Sequence, residues 1–136
     1  MVRRDSDALG DWPRRKILPL AGLLLGLVAG CGGSLNEEQL AAVAKMQQLG
    51  GRVSFSRGGY EIDMSTTAIQ DADLVQLQRI PNLRTLDLQN TRVTDAGLAH
   101  LKPIETLEMV ILVRTMVTRE AAQDLQKSLP KAQIRR

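Results

Sequence analysis

The chain is poor in the side chains from which active sites are usually assembled. Its 136 residues include one histidine, one cysteine, one tryptophan, one tyrosine and one phenylalanine. A lone cysteine, Cys31, excludes an intramolecular disulfide. No serine stands at a recognisable spacing from a histidine and an acid, and no glycine-rich phosphate loop precedes a helix. Nothing in the sequence asks for a cofactor, a small-molecule substrate or an enzymatic role. With aromatics at 2% and hydrophobic residues at 43%, the core must be aliphatic, built from Leu, Ile, Val and Ala. The length suffices for one domain with a modest core. Charge of one sign is also scarce where it would matter. The formal net charge is +3, but residues 1–30 carry five basic and three acidic side chains. Residues 31–136 then hold 13 and 12, and 13 − 12 = +1, which gives no support to nucleic-acid binding.

A long hydrophobic run is missing too. The apolar stretch from Ile17 to Ala29 is interrupted by Pro19, Gly22 and Gly26, and it is shorter than the ~20 residues that span a bilayer. It follows a polar, net-positive head ending in Arg14-Arg15-Lys16 and closes with Val28-Ala29-Gly30-Cys31. Basic head, apolar segment and small residues before a cut site are the marks of an export signal. The ending resembles a bacterial lipobox. That resemblance implies cleavage before Cys31 and attachment of lipid, of the palmitate kind, to its thiolate. Residues 1–30 are then a lipoprotein signal peptide, and 31–35, with Gly32-Gly33-Ser34, an acylated cysteine on a flexible tether. An uncleaved membrane anchor is the alternative. Gly32 stands where some sorting systems read an aspartate as an inner-membrane retention signal, which favours the outer membrane. Arg14 to Leu18 also resembles a twin-arginine export motif, although Pro13 and Pro19 depart from it.

Shifting the sequence by 24 residues aligns its apolar positions. Ile62, Leu86 and Val110 superpose, as do Met64, Leu88 and Leu112. Thr67, Thr91 and Thr115 follow, then Ile69, Val93 and Val117, and finally Leu77, Leu101 and Leu125. The middle copy, Leu83 to Leu101, reads LRTLDLQNTRVTDAGLAHL. It is similar to the leucine-rich repeat, LxxLxLxxNxL, in a 24-residue bacterial form with Thr in place of Asn. The resemblance covers about residues 59–130 and implies an α/β fold. That fold is a short solenoid of about three repeats, with a small parallel sheet on the concave side and helices on the convex side.

The residues themselves support that order of elements. Leu86-x-Leu88 alternates at period two, so both leucines face one side of a short strand. Thr91 begins the turn, where its hydroxyl can bond the backbone of neighbouring coils. Thr94 and Asp95 are suited to capping a short helix that carries Leu98 and Leu101. Asp71 and Asp95 recur once per copy, which capping explains without chemistry. Residues 36–58 read as an N-terminal cap: a helix starting at Asn36-Glu37-Glu38-Gln39 and stopping at Gly50-Gly51, then a strand. Ser56 to Gly59 turns that strand back on Tyr60–Met64 as a hairpin. The repeat domain spans 59–134, and the Glu120–Leu129 helix with the tail through Ile134 closes the stack.

On the concave face the residues between the inward leucines are Glu61, Asp63 and Ser65, then Thr85, Asp87 and Gln89, then Met109, Ile111 and Val113. The face grades from acidic to apolar. No histidine joins the carboxylates and their coordination set is incomplete, so they do not make a metal site. His100 falls on a helix between inward leucines, as a solvated residue. Both faces of the third strand are apolar; either this is an interface or the C-terminal segment covers it. The resemblance implies a non-enzymatic, membrane-anchored envelope protein that binds or scaffolds another protein, held to the membrane by lipid on Cys31. The alternative is a structural envelope component that associates with itself and has no specific ligand.

Overall fold

The structure, a computed structural model, describes residues 35–136. The expected signal peptide, the lipid site Cys31 and most of the tether lie outside the described residues. The rest is a mixed α/β unit with one five-stranded sheet in the order β1-β2-β3-β4-β5. It opens with helix α1 (Glu37–Gln48). Asn36 caps it reciprocally: its Oδ1 accepts the Gln39 amide at 2.8 Å, and its own amide donates to Gln39 Oε1 at 3.0 Å. Ala42, Val43 and Met46 form the buried face of α1, and Gly50, at φ +93°, ends it.

Strand β1 (Arg52–Ser56) then pairs antiparallel with β2 (Gly59–Asp63), so the hairpin forms where the turn residues place it. Phe55 and Tyr60 meet edge to face across it, their ring centroids 4.9 Å apart. Gly59 sits where β2 runs close to the next copy. A Cβ there would come within 2.7 Å of the Asn82 carbonyl and 2.1 Å of the Arg84 side chain.

From β2 onward every strand pair is parallel. Strands β3 (Leu83–Asp87), β4 (Met109–Ile111) and β5 (Gln133–Arg135) follow. Ile62 pairs with Leu86, Leu86 with Val110, and Val110 with Ile134. Each partner is 24 residues further on, so the sequence period and the strand register are the same number. The connections differ from one another. The first is a 3-10 helix, Asp71–Arg79; the second holds only the four-residue helix α2 (Asp95–Leu98); the third is the longer α3 (Arg119–Ser128). The short helix expected after Thr94 is present, but it ends at Leu98 and does not include Leu101.

The columns read from the 24-residue shift are the core. Ile62, Leu86 and Val110, Met64, Leu88 and Leu112, Ile69, Val93 and Val117, and Leu77, Leu101 and Leu125 are all at most 2% exposed. Burying each such side chain contributes about 1.5–3 kcal/mol.

Three local devices repeat with the same step, and two of them depart from the sequence expectations. The Thr67, Thr91 and Thr115 hydroxyls each donate to a carbonyl three residues back, Met64, Leu88 and Leu112, at 2.7 Å. They close their own turn instead of reaching a neighbouring copy. Asp71 and Asp95 do the reverse. Asp71 accepts the Thr94 amide at 2.8 Å and the Thr94 hydroxyl at 2.5 Å; Asp95 accepts the Thr118 amide at 2.7 Å and its hydroxyl at 2.8 Å. These carboxylates clamp the next copy instead of capping their own helices. The third device is a left-handed residue three positions after β2, β3 and β4: Thr66, Asn90 and Arg114 have φ of +59°, +56° and +57°. Asparagine tolerates that region, whereas a β-branched side chain such as that of Thr66 adopts it only at a cost.

The tail forms the last strand of the sheet, a pairing the sequence pattern did not specify. Gln133–Arg135 continues the 24-residue register as a fifth strand, and the Arg136 Nε donates to the Val117 carbonyl at 2.9 Å.

Two substitutions check this packing. Leu88→Ala should lower the unfolding free energy in urea by ~2–5 kcal/mol, since it empties a fully buried column; a change under ~0.5 kcal/mol would contradict the inward placement. Thr66→Asn should raise stability by about 0.5–1 kcal/mol by relieving the left-handed β-branched residue, measured in the same titration.

Candidate functional site

Because side chains alternate across a strand, filling one face with the aliphatic columns leaves the other free. The register lays that outer face out as rows. One row runs Ser54, Glu61, Thr85, Met109, Gln133 from β1 to β5; the next runs Arg52, Asp63, Asp87, Ile111, Arg135. All nine residues expected on this side, Glu61, Asp63, Ser65, Thr85, Asp87, Gln89, Met109, Ile111 and Val113, are half-buried. The face is thus one continuous surface. Ser54, Arg52, Gln133 and Arg135 belong to it as well and were not legible as such. A 24-residue shift does place Ile134 under Val110, but Lys131 stands where Leu83 and Leu107 open their copies. With the opening leucine gone, the fourth strand carries too little pattern to stand out.

The carboxylates here have structural partners. Asp63 Oδ1 accepts the Ser65 amide at 2.9 Å and the Ser65 hydroxyl at 2.6 Å. Asp87 Oδ1 accepts the Gln89 amide at 2.8 Å. Each aspartate ends its strand by bonding backbone two residues on. The Ser65 hydrogen bonds, hydroxyl first and then amide, hold the Asp63 carboxyl below its ordinary value against the opposing effect of burial, with a further contribution from the Arg52 charge. In the third copy Ile111 occupies the aspartate column, and no carboxylate is present.

Met109 and Ile111 on β4, and Val113 in the turn just after it, are therefore apolar side chains beside inward residues, Val110 and Leu112, that already fill the core. The C-terminal segment lies beside β4 in the sheet, joined through the Leu112 amide to the Arg135 carbonyl at 2.6 Å and the Gln133 amide to the Glu108 carbonyl at 2.7 Å. It widens the face instead of covering it. Near the end of the same turn Met116 is 67% exposed.

Elsewhere, Val75 on the 3-10 helix is also exposed, at 40%, and among the described residues two ion pairs cross between copies. Arg84 pairs with Glu108 and donates to the Arg57 carbonyl at 2.5 Å; Lys102 pairs with Asp124 at 2.5 Å. His100 is half-buried, and its carbonyl accepts Gln78 Nε2 at 2.9 Å. Among the described residues no three His, Cys, Asp or Glu side chains are placed to hold a metal ion. No helix among them is long and apolar enough to cross a membrane. Comparison with known proteins finds no matching family model, no matching curated protein and no matching solved structure.

The Asp63 turn carries a pH signature. A carboxyl held below its ordinary value stabilises the fold above the unfolded-state value, about 3.9, and loses that contribution as pH falls through the lower folded value. Thermal unfolding of the wild type and Asp63→Asn across pH ~2–7 should show a difference that is constant above about pH 5 and shifts against the wild type below it. Parallel profiles would remove the assigned cause.

Proposed function

We propose that this chain is a lipid-anchored protein of the bacterial envelope, on the outer membrane, whose folded part is a short leucine-rich-repeat solenoid. In this reading it binds or scaffolds another protein through the outward sheet face and carries out no catalysis. The observation that carries the reading is the half-exposed apolar strip of Met109 and Ile111 on β4 and Val113 in the turn after it, beside a core face that is already complete. Apolar side chains kept in contact with water beside polar neighbours are the usual composition of a protein contact. The 24-residue step from Ile62 through Leu86 and Val110 to Ile134 supports the repeat assignment. The basic head, the apolar segment and Ala29-Gly30-Cys31 support export and lipidation.

Ile111→Lys in the tagged full-length chain tests the face. It should leave the unfolding temperature nearly unchanged, because the side chain points away from the core. It should also reduce recovery of the partner from envelope extracts by roughly tenfold or more. A large drop in unfolding temperature would make Ile111 a packing residue, and unchanged recovery would move the contact off this face.

A further inference from the structure

The row through Asp87, Ile111 and Arg135 has an order that bears on the occupant of this face. These residues sit in register on adjacent strands β3, β4 and β5, so an acid and a base flank an apolar centre, each one strand away from it. Strands lie about 4.8 Å apart, which keeps Asp87 and Arg135 about 10 Å from each other within one chain. Among the described residues neither belongs to an ion pair. The row beside it, Thr85, Met109 and Gln133, repeats the plan with hydrogen-bonding side chains on either side of an apolar one.

We infer that the partner of this face is a second copy of the chain, packed sheet to sheet about a two-fold axis that runs along β4. The inference rests on the reading of the face as a protein contact. Such an axis lays β4 on β4 and exchanges β3 with β5. Met109 and Ile111 then meet their own counterparts, Asp87 of each copy faces Arg135 of the other, and Thr85 faces Gln133. One patch thereby complements itself, as a two-fold interface requires. The alternative axis, across the strands, lays β3 on β3 and β5 on β5. It brings Asp87 toward Asp87 and Arg135 toward Arg135, and like charges at an interface are strongly disfavoured. Asp63 falls outside the overlap and has Arg52 opposite it in its own chain. Only three strands overlap, so the contact is smaller than a standard interface and the association is weak, with a dissociation constant of ~100 µM or above.

A charge exchange tests this arrangement. Sedimentation equilibrium of the full-length chain in detergent, up to ~1 mM, is compared for wild type, Arg135→Glu, Asp87→Lys and an equimolar mixture of the two variants. Wild type should approach the dimer mass as concentration rises. Each variant alone opposes like charges twice and should associate at least tenfold more weakly. The mixture should recover wild-type association, because the Arg135→Glu copy presents acids at both positions and the Asp87→Lys copy presents bases at both, so each acid faces a base across the contact. Arg135 has an exposed side chain, so its substitution leaves the core intact. If Asp87→Lys disturbs the turn at Gln89, Asp87→Asn keeps an oxygen for that amide and should still weaken association several-fold. A wild type that stays monomeric throughout, variants that associate like wild type, or a mixture that fails to recover each overturn the self-pairing. If self-pairing fails while Ile111→Lys still abolishes capture of another protein, the broader reading stands; if Ile111→Lys changes neither, both fall.

Discussion

Parallel pairing at a constant 24-residue step is the constraint on which the remaining structure rests. An inward side chain in one copy is buried only if the same position in the next copy is apolar and lands beside it. The Ile62, Leu86, Val110 column satisfies this, and the Met64, Leu88, Leu112 column does so two residues later. No single copy contains enough apolar surface to shield itself, so burial is gained between copies. A one-residue slip of register would turn every inward aliphatic outward. Both the sheet and the connections follow from avoiding that.

The polar columns serve the same constraint. Threonine hydroxyls close the turn that each strand must make, and the left-handed residue just before them reverses the chain. Asp71 and Asp95 tie the start of one return segment to the next, 23 residues on, through two hydrogen bonds each. Asp63 and Asp87 end their strands. Recurring carboxylates and hydroxyls thus have positions set by backbone amides and carbonyls that would otherwise be unsatisfied. What backbone demand does not explain is the outward side of β4, where Ile111 replaces the strand-ending aspartate and Met109 and Val113 stay half-exposed. What is left over is an apolar strip that no demand of the backbone or the core accounts for.

The columns of the core and the capped start of α1 were legible because each depends on local spacing: period two in a strand, a side-chain cap three residues from its partner. Other features were not, and for one physical reason. The aspartate clamps join residues 23 apart, and a capping aspartate and a bridging one look alike in sequence. The 3-10 form of Asp71–Arg79 and the four-residue length of α2 have no counterpart in the sequence pattern, since the same 24-residue step accommodates the ten-residue α3 in the last copy. The membership of Arg135 and Gln133 in the outer face depends on a fourth strand whose opening leucine is replaced by Lys131.

The amino-acid sequence by itself determined the 24-residue period, the aliphatic core, the N-terminal helix and the alternation that separates inward from outward residues. These follow from side-chain type and near-neighbour spacing. Tertiary structure alone decided which copy each aspartate serves, that the tail pairs beside β4 and leaves its face open, and that Asp87, Ile111 and Arg135 form one row. Those outcomes depend on the register between strands 24 residues apart, and register is settled by the joint burial of all the columns at once.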